Sequence, residues 1–166
     1  MNEIHADPDL AAGDANNDGQ VDSDDDEFLE FVNTGVDEID LSGWSITDGA
    51  RTRFTFPEGS VLEGCRAVVI FGGGLPVGEF GTSLVYTAGS LGLNNSGDTI
   101  TLWDHNGEKK LWYSYGEEGG ENQSLTRSPD IIGEPPLVLH SEAALTLGEI
   151  FSPGVKQDGS AFTNCP

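Results

Sequence analysis

Short apolar runs alternate along this chain with turns bearing glycine and asparagine, and no stretch sustains the 3.6-residue period of an amphipathic helix. That pattern leaves little but β structure. Strands are expected at 3–6, 27–33, 39–46, 53–56, 67–71, 84–87, 99–103 and 111–115. Between them, Asn33-Thr34-Gly35, Thr47-Asp48-Gly49, Pro57-Glu58-Gly59, Asn94-Asn95-Ser96-Gly97 and His105-Asn106-Gly107 offer residues that tolerate positive φ. The last of these separates Ile100-Thr101-Leu102-Trp103 from Leu111-Trp112-Tyr113 and reads as a hairpin. Gly72-Gly73-Gly74 follows a strand and reads as a bend, without the Lys-Ser/Thr of a phosphate loop or the helix of a dinucleotide site. About eight strands at this spacing fit a β-sandwich better than a barrel or an α/β fold.

The length, 166 residues, suits one domain with a sizeable core, spanning 1–166. Two stretches break the strand rhythm. Residues 128–150 are irregular and proline-containing, with one short helical turn expected near 142–147. Residues 7–26 form a long acidic insertion after the first strand, and no internal repeat is present.

The insertion carries the most specific chemistry. From Asp7 to Glu30 there are eight Asp, two Glu and no Lys or Arg. Within it, Asp14-Ala15-Asn16-Asn17-Asp18-Gly19-Gln20-Val21-Asp22-Ser23-Asp24-Asp25 follows the spacing of a twelve-residue calcium loop. Such a loop needs side-chain oxygens at positions 1, 3 and 5, a glycine at 6 for the sharp bend, and a backbone carbonyl at 7. Asp14, Asn16, Asp18, Gly19 and Gln20 supply these in order. Asp22 is placed to bind through water, and Val21 to pin the loop to the core. The last position usually holds a bidentate Glu, and here it holds the shorter Asp25, with Asp24, Asp26 and Glu27 as other acids able to complete the shell. Flanking helices are missing. A solvated acidic turn, or the acid enrichment of a salt-adapted chain, would share the composition but not this spacing. Calcium is therefore the expected cofactor, with Asp14, Asn16, Asp18, Gln20, Asp22 and Asp25 as the metal ligands.

Overall charge sorts the partners. Seven Lys and Arg against 29 Asp and Glu leave a formal charge of −22, which repels phosphate backbones and anionic membranes. Direct nucleic-acid binding is not expected, and no apolar stretch approaches a membrane span. Cys65 and Cys165 are too few for a metal site; they either pair with each other in an oxidising compartment or stay free. A bridge would tie the C-terminal tail to the sandwich. The N-terminus lacks a basic region and an apolar core, so a signal peptide is expected outside this piece of a longer protein.

Three segments then suggest a family. Asn2-Glu3-Ile4-His5-Ala6-Asp7-Pro8, Asp26-Glu27-Phe28-Leu29-Glu30-Phe31-Val32-Asn33 and Asp40-Leu41-Ser42-Gly43-Trp44-Ser45-Ile46-Thr47-Asp48-Gly49 resemble the bacterial lamin tail domain. Its habitual strands read N-E-I/V, D-E-[FW]-[IV]-E-[LI]-x-N and L-S-G-W-x-[LI]-x-D. Phe56-Pro57, Val69-Ile70-Phe71-Gly72-Gly73-Gly74, Leu91-Gly92-Leu93-Asn94-Asn95-Ser96-Gly97-Asp98, Gln123-Ser124-Leu125-Thr126-Arg127 and Phe151-Ser152-Pro153-Gly154 are similar to that family too, so the resemblance spans nearly the whole chain. It implies an immunoglobulin-like β-sandwich and a non-catalytic module. The inserted loop also resembles a dockerin loop, without the duplication or helices of a dockerin. Trp44 reads as a core aromatic.

No enzyme signature competes. His140-Ser141 is the nearest to a catalytic pair, but neighbours on a strand face opposite ways. No G-x-S-x-G elbow and no H-x-H or H-E-x-x-H spacing occurs, so His5 and His140 read as satisfied structural histidines. The expectation is a non-catalytic, calcium-stabilised extracellular or cell-surface binding and scaffolding module of a larger exported bacterial protein, with an unidentified protein or cell-surface partner. The alternative is an accessory substrate-binding domain of a secreted nuclease or other hydrolase.

Overall fold

A computed structural model describes residues 1–165. The chain is all-β, with no α-helix among these residues. In order the strands are β1 (Glu3–His5), β2 (Phe28–Val32), β3 (Ile39–Asp40), β4 (Ser45–Thr47), β5 (Thr52–Thr55), β6 (Val61–Leu62), β7 (Ala67–Phe71), β8 (Leu84–Thr87), β9 (Asp98–Trp103), β10 (Lys109–Tyr115), β11 (Leu125–Thr126) and β12 (Val138–Leu139).

They form a six-stranded sheet ordered β12-β11-β1-β2-β7-β8, a four-stranded sheet ordered β10-β9-β4-β5, and a small β3-β6 pair. All pairings are antiparallel except β7 with β8. The expected hairpin across His105-Asn106-Gly107 joins β9 to β10. The two larger sheets close on one apolar core, in which Ile4, Leu29, Val68, Ile70 and Leu125 from the first meet Ile46, Ile100 and Leu102 from the second. Trp44 packs against this core from a half-buried position.

Several expectations needed correction. There are twelve strands where about eight were expected. The run 39–46 is not one strand, because Gly43 at φ +73° bends the chain out of the extended region and separates β3 from β4. β6, β11 and β12 are only two residues long, too short to show a period in sequence. The helical turn expected near 142–147 is a 3₁₀ turn at His140–Glu142, so the strand argument about His140 and Ser141 does not apply.

The six-stranded sheet is buried on both faces. Period-2 alternation sends Ile4, Leu29 and Phe31 inward to the sandwich core, and Glu3, His5, Phe28 and Glu30 outward. The outward side chains are nonetheless inaccessible, Glu3, His5 and Glu30 each at 0% exposure. What covers them is the acidic insertion, through Ala15, and the C-terminal segment, through His140, Phe151, Ser152 and Gln157. Cys65 and Cys165 are joined in a disulfide with Cα atoms 4.8 Å apart, which fastens the end of that segment to the loop before β7.

Candidate functional site

The acidic insertion folds by its own carboxylates. Asp14 accepts the N–H groups of Asp18 at 3.1 Å and Gly19 at 3.0 Å. Asn16 Oδ1 accepts that of Asp18 at 3.0 Å, Asp18 Oδ1 that of Gln20 at 3.0 Å, and Asp22 Oδ1 those of Asp24 and Asp25 at 2.9 and 3.1 Å. Each is the short side chain's local bond to a following amide that favours turns over strands. Gly19 takes φ +88° at the sharp bend.

The ends of the loop are clamped by a residue outside the expected ligand set. Asp26 is fully buried, and its two oxygens accept the Asn16 and Asp22 N–H groups at 3.0 and 2.8 Å. Burial pushes its carboxyl above the ordinary range. Glu27 turns away to accept the Leu93 N–H at 2.9 Å, and burial raises it to about 8. Both are thereby engaged elsewhere, which leaves Asp25 and the exposed Asp24 for the last loop position.

The loop lies against the glycine bend after β7. A Cβ at Gly73 would come within 2.0 Å of Asp25 Oδ1, and one at Gly74 within 2.3 Å of Asn16 Nδ2 and 2.7 Å of Asp18 Oδ2. Asp18 Oδ2 also accepts the Leu75 N–H at 3.2 Å. The structure thus gathers Asn16, Asp18 and Asp25 over a cradle that any side chain would fill. Burial, followed by the charges of Asp22, Asp18 and Asp24, pushes the Asp25 carboxyl up. The ion pairs among the described residues, Arg53–Asp48, Arg66–Glu63 and Lys110 with Asp104 and Glu108, all lie elsewhere.

The donor set fits a hard cation: carboxylate oxygens from Asp14, Asp18, Asp22 and Asp25, an amide oxygen from Asn16 and a backbone carbonyl from Gln20. Among the described residues no three His, Cys, Asp or Glu side chains stand close enough to hold an ion. Val21 does not pin the loop; it is 39% exposed, and the anchoring falls to Ala15, buried against Phe28, Val69 and Phe71. A one-carbon side chain fits that crowded interface, whereas Val21 sits on the solvent side of the bend.

A second polar constellation was not legible in the sequence. Glu3 Oε1 accepts from Ser124 Oγ at 2.6 Å and Ser152 N at 2.9 Å, while Oε2 accepts from Ser152 Oγ at 2.8 Å. His140 Nε2 meets Ser152 Oγ at 3.0 Å, and Nδ1 meets the Glu149 carbonyl at 2.8 Å. Next door, Glu30 accepts from Asn2 Nδ2 at 2.8 Å and Gly154 N at 2.7 Å. Asp130 accepts from Asn2 Nδ2 at 3.2 Å and Gln157 N at 3.1 Å. Glu3 and Glu30 are cross-strand neighbours, and burial raises both, Glu30 further through the charge of Glu3. His140 therefore works with Ser152, twelve residues on, and not with Ser141. His5 departs from the satisfied histidine expected: neither ring nitrogen has a hydrogen-bond partner, and the ring packs tilted against Phe28 at 5.5 Å and Phe151 at 5.3 Å. Burial holds its imidazole down at about 3 and hence neutral.

Among the described residues no helix is long and apolar enough to cross a membrane. A search of curated proteins finds no match to this chain. The family model described as Lamin Tail Domain matches residues 2–117. The match stops short of Ser124, His140 and Ser152, so the resemblance drawn beyond residue 117 lies outside it.

Proposed function

The chain belongs to the lamin tail domain family, and from that premise we propose that it serves as a non-catalytic, calcium-stabilised extracellular binding or scaffolding module of a larger exported protein. The observation that carries the reading is the cradle at Gly73 and Gly74, where Asn16, Asp18 and Asp25 crowd together with no cationic side chain paired to them among the described residues. Beyond burial, the charges of Asp22, Asp18 and Asp24 act on Asp25 and oppose its ionisation. A bound calcium ion supplies the compensating positive charge. Asp14, Asn16, Asp18, Asp22 and Asp25 with the Gln20 carbonyl would hold it, while Asp26 keeps the two ends of the loop together.

Export is supported by the Cys65–Cys165 disulfide, since such bonds persist in oxidising compartments, where calcium is also abundant. The non-catalytic reading is supported by the His140–Ser152–Glu3 arrangement being sealed, at 0%, 7% and 0% exposure. They hold strands together where no substrate reaches.

Calcium binds the folded loop and not the unfolded chain, so the melting temperature should rise with free calcium. At a Kd of roughly 10⁻⁴ M, a free concentration of about 1 mM adds about 1.4 kcal/mol. Asp14→Ala or Asp18→Ala should abolish the gain. Asp9→Ala should leave it intact, because Asp9 serves only the Ala11 and Ala12 amides. A melting temperature indifferent to both EDTA and calcium overturns the metal reading.

A further inference from the structure

The outer face of the four-stranded sheet has a chemistry unlike the rest of this acidic molecule. Trp112 on β10 is 59% exposed, on the side opposite Leu111 and Tyr113, which pack on the core. Lys109 Nζ stands 5.8 Å from the centre of its ring, the distance of a cation–π contact that steadies the indole. Trp103 on β9 faces the same way and donates from Nε1 to Thr47 Oγ1 at 3.0 Å. Around the two indoles the outward positions carry hydroxyls: Thr99 Oγ1 meets Ser114 Oγ at 2.7 Å, while Thr101, in register between Thr47 and Trp112, is itself buried. None of these outward positions bears a carboxylate, although the chain has 29 Asp and Glu.

We propose that this face binds a neutral polysaccharide chain. A sugar ring offers an apolar C–H face to stack on an indole and a rim of hydroxyls to exchange hydrogen bonds with Thr and Ser, which is the pairing of groups displayed here. The formal charge of −22 turns away polyanionic polymers such as nucleic acid or acidic glycans. A protein partner would call for a packed apolar centre, and Trp112 is the only large apolar residue exposed on the described part of this sheet. Neutral hydroxyl-rich polymers remain, met by an acid-free strip and a preorganised indole.

The test is affinity gel electrophoresis of the intact, disulfide-bonded chain through gels containing hydroxyethylcellulose, glucomannan or, as a polyanion that calcium does not cross-link, hyaluronan. Saturating calcium keeps it independent of the metal reading, which stands or falls on the calcium dependence of melting. Retardation is expected in at least one neutral gel and not in hyaluronan. Trp112→Ala should weaken it at least about tenfold and Trp112→Phe should restore part of it, with the melting temperature unchanged because the side chain is exposed. Free passage through both neutral gels overturns the proposal. So does equal retardation by hyaluronan, or retardation that survives Trp112→Ala.

Discussion

The two faces of the six-stranded sheet are both dry, and they are made dry by opposite means. The inner face buries Ile4, Leu29, Val68 and Ile70 against a second sheet, a contact that is non-directional and scales with area. The outer face buries Glu3, Glu30 and His5 beside Phe28 and Phe71, and each acid is held by named donors from the C-terminal segment. An apolar face asks only for bulk. A buried carboxylate needs a donor in one place, and leaving it unpaired is costly. The outer face thereby specifies which segment may cover it, and the family match ending at residue 117 leaves the covering segment outside the matched region.

Several measurements would break or sharpen that contrast. The largest effect is expected on cutting the tie that holds the cover in place. Cys65→Ser with Cys165→Ser opens a loop of 100 residues and should cost about 4 to 5 kcal/mol by chain-entropy reasoning. Hydrogen exchange should then rise first over 140–165, with β2 and β7 still protected; uniform loss of protection would show that the two faces stand or fall together. Next comes a truncation on the inner face. Ile70→Ala should cost about 3 to 4 kcal/mol in chemical denaturation, as for a buried aliphatic residue that leaves a cavity.

Ser152→Ala, on the outer face, removes a hydroxyl of one oxygen and should cost about 1 to 3 kcal/mol, because Glu3 and His140 each lose a partner. A cost below about 0.5 kcal/mol would mean that water replaces it and that the face is less sealed than its exposure indicates.

The smallest effect is expected in the pH profile. Burial and Glu3 hold Glu30 well above its unfolded value of 4.5, so the folded chain binds this proton more tightly than the unfolded one. The associated stability is complete below about pH 4.5 and is lost as pH rises through the folded pKa. Glu30→Gln, which keeps the neutral form at all pH, should flatten the decline in melting temperature across that window. An unchanged slope would assign the decline to other buried acids such as Glu3 and Asp130, which burial also raises.

Legibility followed the range of the interactions. Residues 67–71 and 84–87 match β7 and β8 because a strand of four or five apolar or β-branched residues announces itself locally. The acidic loop is likewise local, since its Asx bonds form among neighbours a few positions apart. Asp26 was visible only as one more acid in an acidic run, since its role depends on reaching amides four and ten residues back. The partnership of Glu3 with Ser152 spans 149 positions, and no periodicity records such a distance.

By itself, then, the sequence determined that the chain is a β-sandwich with a glycine-bent acidic loop, because alternation, turn residues and short-range side-chain-to-amide bonds act over a few positions and survive without knowledge of the rest. Only the tertiary structure decided that the acids of the first two strands are covered on the outer face, that Val21 faces water while Ala15 anchors the loop, and that Ser152 and not Ser141 meets His140. Those outcomes depend on which segment crosses which face, and burial assigns a carboxylate its neighbours only after the chain has closed over it.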